Sequence, residues 1–348
     1  MNSHIIESSA TVLDALQKLN ALSGSEMTLL VTNPEGIMAG TLTDGDIRRA
    51  LLRGVKLSDP VSSTMHTSFR ALRDDEPMVL ALRQMREHRI SLIPVLDAEG
   101  RIVKIINTRI TPSQLPLRAI LMAGGKGERL RPLTLTTPKP LLPVADRAII
   151  DYNIHALAAV GIDHISVTVN YMADMMEHHF AEPVAGVKVR CVRETSPLGT
   201  IGSTTLCDVP PEGNTLVMNS DLLTTISFED MYLRHIDEKA DITIAAIPYN
   251  VSVPYAILGT DGAQVVNLQE KPSYSYYANA GIYIISNALL RQLPTGERID
   301  ATDLIEMAIA DGKRVVYFPI NGTWIDIGSP QDYKHACELM SHVKRSNF

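Results

Sequence analysis

A chain of 348 residues, 45% hydrophobic and 20% charged, has the makeup of soluble globular protein and enough length for two or three domains. Its net charge of −7 argues against nucleic acid or an anionic membrane as partner, since both are gripped by a surplus of Lys and Arg; a phosphorylated small molecule in a local basic pocket stays open. Cys191, Cys207 and Cys337 form no CxxC pair, the start of the chain lacks a signal-peptide pattern, and no apolar run reaches about 18 residues, so a cytoplasmic protein is expected.

The N-terminal third contains a repeat. Val31-Thr32-Asn33-Pro34-Glu35-Gly36 returns 64 residues later as Val95-Leu96-Asp97-Ala98-Glu99-Gly100. Each copy predicts a strand, a glycine turn and a second strand, over 37–42 in the first copy and 101–106 in the second. A helix precedes each, with Val12, Leu13, Leu16 and Leu19 in one and Val79, Leu80, Leu82 and Met85 in the other at roughly helical spacing. After Leu42 the first copy turns through Thr43-Asp44-Gly45-Asp46 into another helix, which Asp44 or Asp46 is placed to cap. A helix N-terminus at a strand end suits phosphate or ribose. This third resembles a tandem CBS pair, with repeats at 1–60 and 61–115. The resemblance implies an adenine-nucleotide effector on Thr43 and Asp46. In the second copy those positions fall on Asn107 and Ile110, so at most one ligand site is expected, and a dimerisation platform is the competing role. A homo-oligomer is expected on either reading. Thr111-Pro112-Ser113-Gln114-Leu115-Pro116 cannot continue a helix and marks the boundary, with the second domain at 116–348.

That domain opens with an apolar strand, Leu117 to Ala123, running into Gly124-Gly125-Lys126-Gly127. Glycines there let backbone amides approach a phosphate chain. The loop is neither a Rossmann nor a Walker pattern. Two cations flank the next stretch of chain: Arg129, and Lys139 between Pro138 and Pro140. Charge developing on reacting phosphates calls for such fixed cations. Asp221 ends the strand 216–220, and Asp326 lies in Trp324-Ile325-Asp326-Ile327-Gly328.

The run Gly125-x-Gly127-x-Arg129-Leu130-x-Pro132-Leu133-Thr134 with Pro138-Lys139-Pro140-Leu141 resembles the signature of sugar-1-phosphate nucleotidyltransferases. The resemblance implies a Rossmann-like mixed α/β sheet, an NTP and a sugar-1-phosphate as substrates, and Mg²⁺ on Asp221 and Asp326. Arg129 and Lys139 then act on the phosphates. Met122, Ala123, Gly124, Gly125 and Gly127, together with Pro197, Gly199 and Thr200 of Pro197-Leu198-Gly199-Thr200, hold the nucleotide. Glu270 and Lys271 of Glu-Lys-Pro, with Asn279 and Gly281, hold the sugar phosphate. Two positions depart from the family: Ser220 replaces a glycine that usually precedes the metal-binding aspartate, and Ala256 follows Tyr255 where many relatives have glycine. Thr200 leans toward a guanylyl or uridylyl enzyme, with GTP favoured. A CBS pair ahead of this domain resembles the guanylyltransferases of nonulosonic-acid (legionaminic type) pathways, which use glucosamine-1-phosphate. Mannose- or heptose-1-phosphate guanylyltransferases, and glucose-1-phosphate uridylyl or thymidylyl enzymes, are the alternatives within the family. Outside it stands a nucleotide-sensing regulator with an inactive transferase domain. No histidine is assigned a role, since a sugar phosphate is already ionised at neutral pH.

Overall fold

The computed structural model describes residues 2–22, 26–74, 78–88, 90–109, 111 and 114–342. Ile110, which bears on the second ligand position, and Pro112 and Ser113 of the linker lie outside the described residues. The chain divides into two compact units, residues 1–114 and 115–348.

The N-terminal unit builds one pattern twice. In the first copy β1 (Ile5–Glu7) pairs parallel with β2 (Thr28–Thr32), which pairs antiparallel with β3 (Met38–Thr43); α1 (Val12–Ala21) and α2 (Asp44–Leu52) accompany them. In the second copy β4 (Leu72–Arg73), β5 (Leu92–Leu96) and β6 (Ile102–Asn107) pair the same way, with α3 (Met78–Glu87). Both second strands start one residue later than the repeat predicts, because Ile37 and Arg101 bridge each other across the two copies and Met38 N–H donates to the Gly100 carbonyl at 2.9 Å. Val12, Leu19, Leu29, Val31 and Ile47 fill one core, and Leu82, Ile93, Val95 and Ile106 the other. Leu30, Met38 and Leu92 pack between them. Alternation along each strand and an i, i+3 or i+4 stripe along each helix supply these faces.

In the second unit β7 (Leu117–Met122) starts the central sheet. A small hairpin, β8 (Pro143–Val144) and β9 (Arg147–Ala148), leads into α4 (Ile149–Ala159), then β10 (Ile165–Val169), α5 (Ala173–His179), β11 (Arg190–Arg193) and the single turn α6 (Gly199–Gly202). Next come β12 (Asn214–Asn219), β13 (Leu222–Thr224), α7 (Phe228–Asp237) and β14 (Ile242–Ser252). The hairpin β15 (Ile257–Asp261) and β16 (Gln264–Gln269) precedes β17 (Ser273–Ser286), α8 (Asn287–Leu290) and α9 (Ala301–Ala310). The chain closes with β18 (Val315–Pro319), β19 (Trp324–Asp326) and α10 (Pro330–His342). The sheet order is β11-β10-β7-β12-β17-β14-β18, and only β17 runs against the rest. From β7 the chain goes first to one side, into β10, and later to the other, into β12. That reversal opens a crevice at the carboxyl ends of the strands, where open α/β sheets take ligands. The glycine loop leaves β7 at that point. Among the described residues no helix is long and apolar enough to cross a membrane.

Candidate active site

A cavity of about 590 Å³ occupies the crevice. Its cationic end is built by the loop after β7. Gly127 has a left-handed φ of 61°, and a side chain there would press on Thr134 at 3.0 Å and Lys139 at 3.1 Å. The Thr134 hydroxyl donates to the Gly127 carbonyl at 2.8 Å, so the loop folds back onto itself. Lys139 starts a short 3₁₀ turn, Lys139–Leu141, with prolines on both sides. Those prolines fix the backbone and thereby the direction of the side chain. Only 12% of the Lys139 side chain is exposed; its ammonium bonds Asp221 Oδ2 and lies 3.7 Å from Asp326 Oδ1. Arg129 flanks the same end, its guanidinium beside Gly328.

The two aspartates are far apart in sequence but joined by strand register. Asp221 sits between β12 and β13, and β13 pairs antiparallel with β19 so that Leu222 faces Asp326. Asn153, buried on α4, donates to the carbonyls of Ser220 (3.3 Å) and Leu222 (3.0 Å), pinning the turn between them. Ser220 fits without a left-handed φ: its hydroxyl donates to the Met122 carbonyl at 2.7 Å, tying β12 to β7. Burial raises the Asp326 carboxyl above its ordinary range, the nearby Asp221 charge adds to this, and Lys139 and Arg129 oppose it. Among the described residues, Asp221 Oδ1 is the one buried side-chain polar atom with no hydrogen-bond partner. A bare buried carboxylate oxygen costs free energy unless something cationic answers it.

A further part of the lining is formed after β11. Glu194 is 7% exposed, and its Oε2 accepts from the Leu198 amide at 3.2 Å. Gly199 has φ of 77°, and a Cβ there would strike the Ile299 carbonyl oxygen at 2.5 Å. The next residue is cross-tied: Thr200 N–H donates to Asp300 Oδ1 (3.0 Å), and Ala301 N–H donates to the Thr200 hydroxyl (2.6 Å). Glycine at 199 is therefore required by both backbone angle and close approach.

Of the residues expected from sequence, Met122, Ala123, Gly124, Gly125, Gly127, Arg129, Lys139, Pro197, Gly199, Thr200 and Asp221 all line this cavity. Asp326 joins them through Lys139. Glu270, Lys271 and Asn279 are exposed and lie outside the lining of this cavity. The physical reason is an arm. Beyond Ala246 and Asn279, β14 and β17 pair only with each other, and β16 before Glu270 is exposed along its whole length. A Glu-Lys-Pro motif carries chemistry in its residues, but where a two-stranded arm holds it depends on packing. Gly281 has φ of 71° and abuts the cavity residue Asn219, whose amide nitrogen a Cβ would meet at 2.5 Å. Glu194, Asn219, Arg298 and Asp300 line the cavity without having been singled out by sequence. Arg298 and Asp300 lie about a hundred residues from the turn they face, and although Asp300 caps α9 in a box with Asp303, nothing local marks either as part of the cavity.

The expected effector residues of the N-terminal unit form a different structure. Thr43, rather than Asp44 or Asp46, is the N-cap of α2. Asp46 Oδ2 accepts from Thr43 N–H (2.9 Å) and its hydroxyl (2.6 Å), while Oδ1 accepts from Arg49 (2.5 Å). Thr11 and Asp14 make the same box at α1, so Thr-x-x-Asp spacing is by itself a helix-cap pattern.

A family model described as nucleotidyl transferase matches residues 118–342, and one for the CBS domain matches 61–109, the second repeat. Mannose-1-phosphate guanyltransferase beta-A of Xenopus laevis is 30% identical over 241 residues, which span 66% of this chain and 67% of that protein. The catalytic subunit beta of mannose-1-phosphate guanylyltransferase from Dictyostelium discoideum is 30% identical over 226 residues, spanning 62% of each. The fold is shared with HddC from Yersinia pseudotuberculosis, solved with GMP-PN: TM-score 0.52, 22% identity, covering 64% of this chain and 99% of that one. With the signature loop, the sheet order and the match from 118 to 342 all in agreement, the chain belongs to the nucleotidyl transferase family and carries a CBS domain ahead of its catalytic unit.

Proposed function

We propose that the catalytic unit transfers a nucleotidyl group, with GTP the favoured donor, to a hexose- or hexosamine-1-phosphate, releasing pyrophosphate. The observation that carries this is the half-buried Asp221 carboxylate, one oxygen on Lys139 and the other buried without a partner, beside the cations of a cavity of about 590 Å³. The names of the relatives favour guanosine and put mannose-1-phosphate at the head of the acceptor panel. Glucosamine-1-phosphate, the nonulosonic-acid substrate, comes next.

The reaction is an in-line displacement: a sugar-phosphate oxygen attacks the α-phosphorus and the β-phosphate oxygen leaves. Loop amides from Gly124 to Gly127 and the Arg129 guanidinium hold the triphosphate. Lys139, fixed between its prolines, sets a positive charge where negative charge builds up, and being immobile it need not reorganise as the reaction proceeds. No side chain has to take a proton from an ionised phosphate.

The site fits Mg²⁺. Two carboxylates are hard oxygen donors, Lys139 already holds a positive charge between them, and the bare Asp221 oxygen awaits a cation. An ion of this kind completes its shell with water and substrate phosphates. Asp221 and Asp326 would hold it, and when bound it would neutralise charge on the phosphates.

Pyrophosphate release measured over a panel of NTPs and sugar-1-phosphates tests the proposal. Turnover should be highest with GTP. Silence across the panel would leave a transferase domain that senses nucleotide without reacting it. For the N-terminal unit we propose an adenine-nucleotide effector at Thr43 and Asp46, reached through whatever lone pairs the helix cap leaves open.

A further inference from the structure

We infer that one face of the β14–β17 arm, rich in tyrosine, docks on the same face of a second copy of the chain about a two-fold axis. The inference stands on the arm's surface and is independent of the nucleotidyl-transfer reading.

Beyond Ala246 and Asn279 the arm is a ribbon of two strands that pair only with each other. Residues directly opposite in an antiparallel pair share a face, and the next pair takes the other face. The register therefore sorts the ribbon. Ile247 with Ala278, Tyr249 with Tyr276 and Val251 with Tyr274 fall on one face. Pro248 with Tyr277, Asn250 with Ser275 and Ser252 with Ser273 fall on the other. The second face suits water: the Ser275 hydroxyl donates to Asn250 Oδ1 at 2.5 Å, and the Ser252 and Ser273 hydroxyls lie 3.2 Å apart. Its one aromatic, Tyr277, has a partner inside the chain, the Tyr317 ring of β18 at 4.6 Å. The first face is apolar except for the tyrosine hydroxyls. A two-stranded ribbon is marginal by itself and ordinarily lays its apolar face on a core. Among the described residues nothing provides that core, since Tyr249 and Tyr276 are 59% and 58% exposed.

The hairpin β15–β16 extends this surface. The Tyr274 hydroxyl donates to Gln269 Oε1 at 3.1 Å, and Leu258 and Leu268, paired across the hairpin, are exposed. The bare parts of Tyr249, Val251, Tyr274 and Tyr276 come to about 400 Å², with a whole tyrosine at about 200 Å². Tyr255, Leu258, Val266 and Leu268, each more than half exposed, add about as much again. A total of about 800 Å² is what each partner gives to a standard interface, and more than a monomer ordinarily leaves in one apolar patch.

Charge selects the occupant. Between 248 and 277 the only charged residues are Asp261, Glu270 and Lys271, so an anionic membrane finds no basic cluster to hold it. A charged partner protein would find no complement on the ribbon face either. A second copy brings tyrosine and valine against tyrosine and valine with no like charges opposed, as an isologous contact requires. Tyrosine suits such a contact because it buries a ring and keeps its hydroxyl at a wet rim.

Sedimentation velocity of the full chain, from low to high micromolar concentration, tests the inference. The parent should reach at least twice the mass of one chain. Tyr249→Thr combined with Tyr276→Thr should halve the parent's mass at equal concentration, with a melting temperature close to the parent's. Threonine keeps the strand propensity and the backbone edges, so edge-to-edge pairing of ribbons would survive the change and face-to-face pairing would not. Tyr277→Thr is the matched control, a tyrosine of similar exposure on the opposite face of the same strand, and should leave the mass unchanged. A parent that stays monomeric overturns the inference and leaves the face to a different protein or to another part of the chain. So does a double variant that keeps the parent's mass, which would put assembly on the N-terminal unit or on the ribbon edges. Equal loss of mass from Tyr277→Thr overturns it as well, because the effect would then not belong to one face.

Discussion

Two strand-to-helix turns in this chain use similar polar residues to opposite ends. In the N-terminal unit, Thr43 and Asp46 satisfy each other: amide, hydroxyl, carboxylate and Arg49 close a ring of hydrogen bonds. In the catalytic unit, the turn after β12 places Asp221 beside Lys139 and leaves one buried oxygen with nothing to bind. The first arrangement lowers the free energy of the fold. The second raises it, and persists because Asn153 and the β13–β19 pairing hold the turn from outside. A polar group that folding leaves unsatisfied is a better guide to chemistry than a motif whose members already answer one another.

The sharpest way to break this contrast is Asp221→Asn. Turnover, followed by pyrophosphate release, should fall by about 10²–10³-fold, the scale of losing one preorganised electrostatic group. The variant should stay folded, its melting temperature within about 3 °C of the parent. Unchanged turnover would remove Asp221 from the site.

A satisfied buried group should report in stability instead, and His235 offers the control. It is 1% exposed; its Nε2–H donates to Asn214 Oδ1 (3.0 Å), and Nδ1 accepts from the Thr243 hydroxyl (2.8 Å). Burial lowers its pKa from 6.5 to about 4, with a nearby Asp241 charge opposing. The folded form therefore resists protonation that the unfolded chain accepts. Stability is full above pH 6.5 and declines as pH falls toward 4, by about 3 kcal/mol over the window. Denaturant melts between those limits should show this slope, and His235→Gln should flatten it.

Much of this site is legible in the sequence, and the residues that escape share one cause. The phosphate end is local: Gly124 to Lys139 is one continuous stretch, and its glycines and prolines dictate their own backbone. Asp221 follows from a strand that ends. Asp326 needed the family order, because only the pairing of Leu222 with Asp326 brings it near. Arg298 and Asp300 depend on how a loop packs on the Gly199 turn, which no spacing encodes. Glu270 and Lys271 pose the opposite case: the motif is intact in the sequence, but the arm that carries it leaves the sheet, so its place relative to the cavity is set by packing. The repeat in the first unit is visible as sequence and recurs as topology. Its ligand motif is visible too, and is spelled like a capping box.

That spelling yields the smallest and most discriminating effect. Burial alone would raise the Asp46 carboxyl, but bonds from Thr43 and the charge of Arg49 outweigh it and hold the group below its usual value of 3.8. A depressed carboxylate supplies stability above its unfolded pKa and loses it as pH falls through the folded one. Asp46→Ala should therefore cost the N-terminal unit about 1 kcal/mol at neutral pH, as loss of a capping partner does, and the cost should vanish in acid. Thr11 and Asp14 make the same box, so Asp14→Ala is the matched reference. If the two variants lose stability alike and calorimetry with ATP or ADP shows no binding to the parent, Thr43 and Asp46 are structural and the contrast between the turns stands. If the parent binds an adenine nucleotide and only Asp46→Ala abolishes it, the capping carboxylate has lone pairs left for a ribose. A self-satisfied turn can then also be a site, and an unsatisfied atom ceases to be what separates the two.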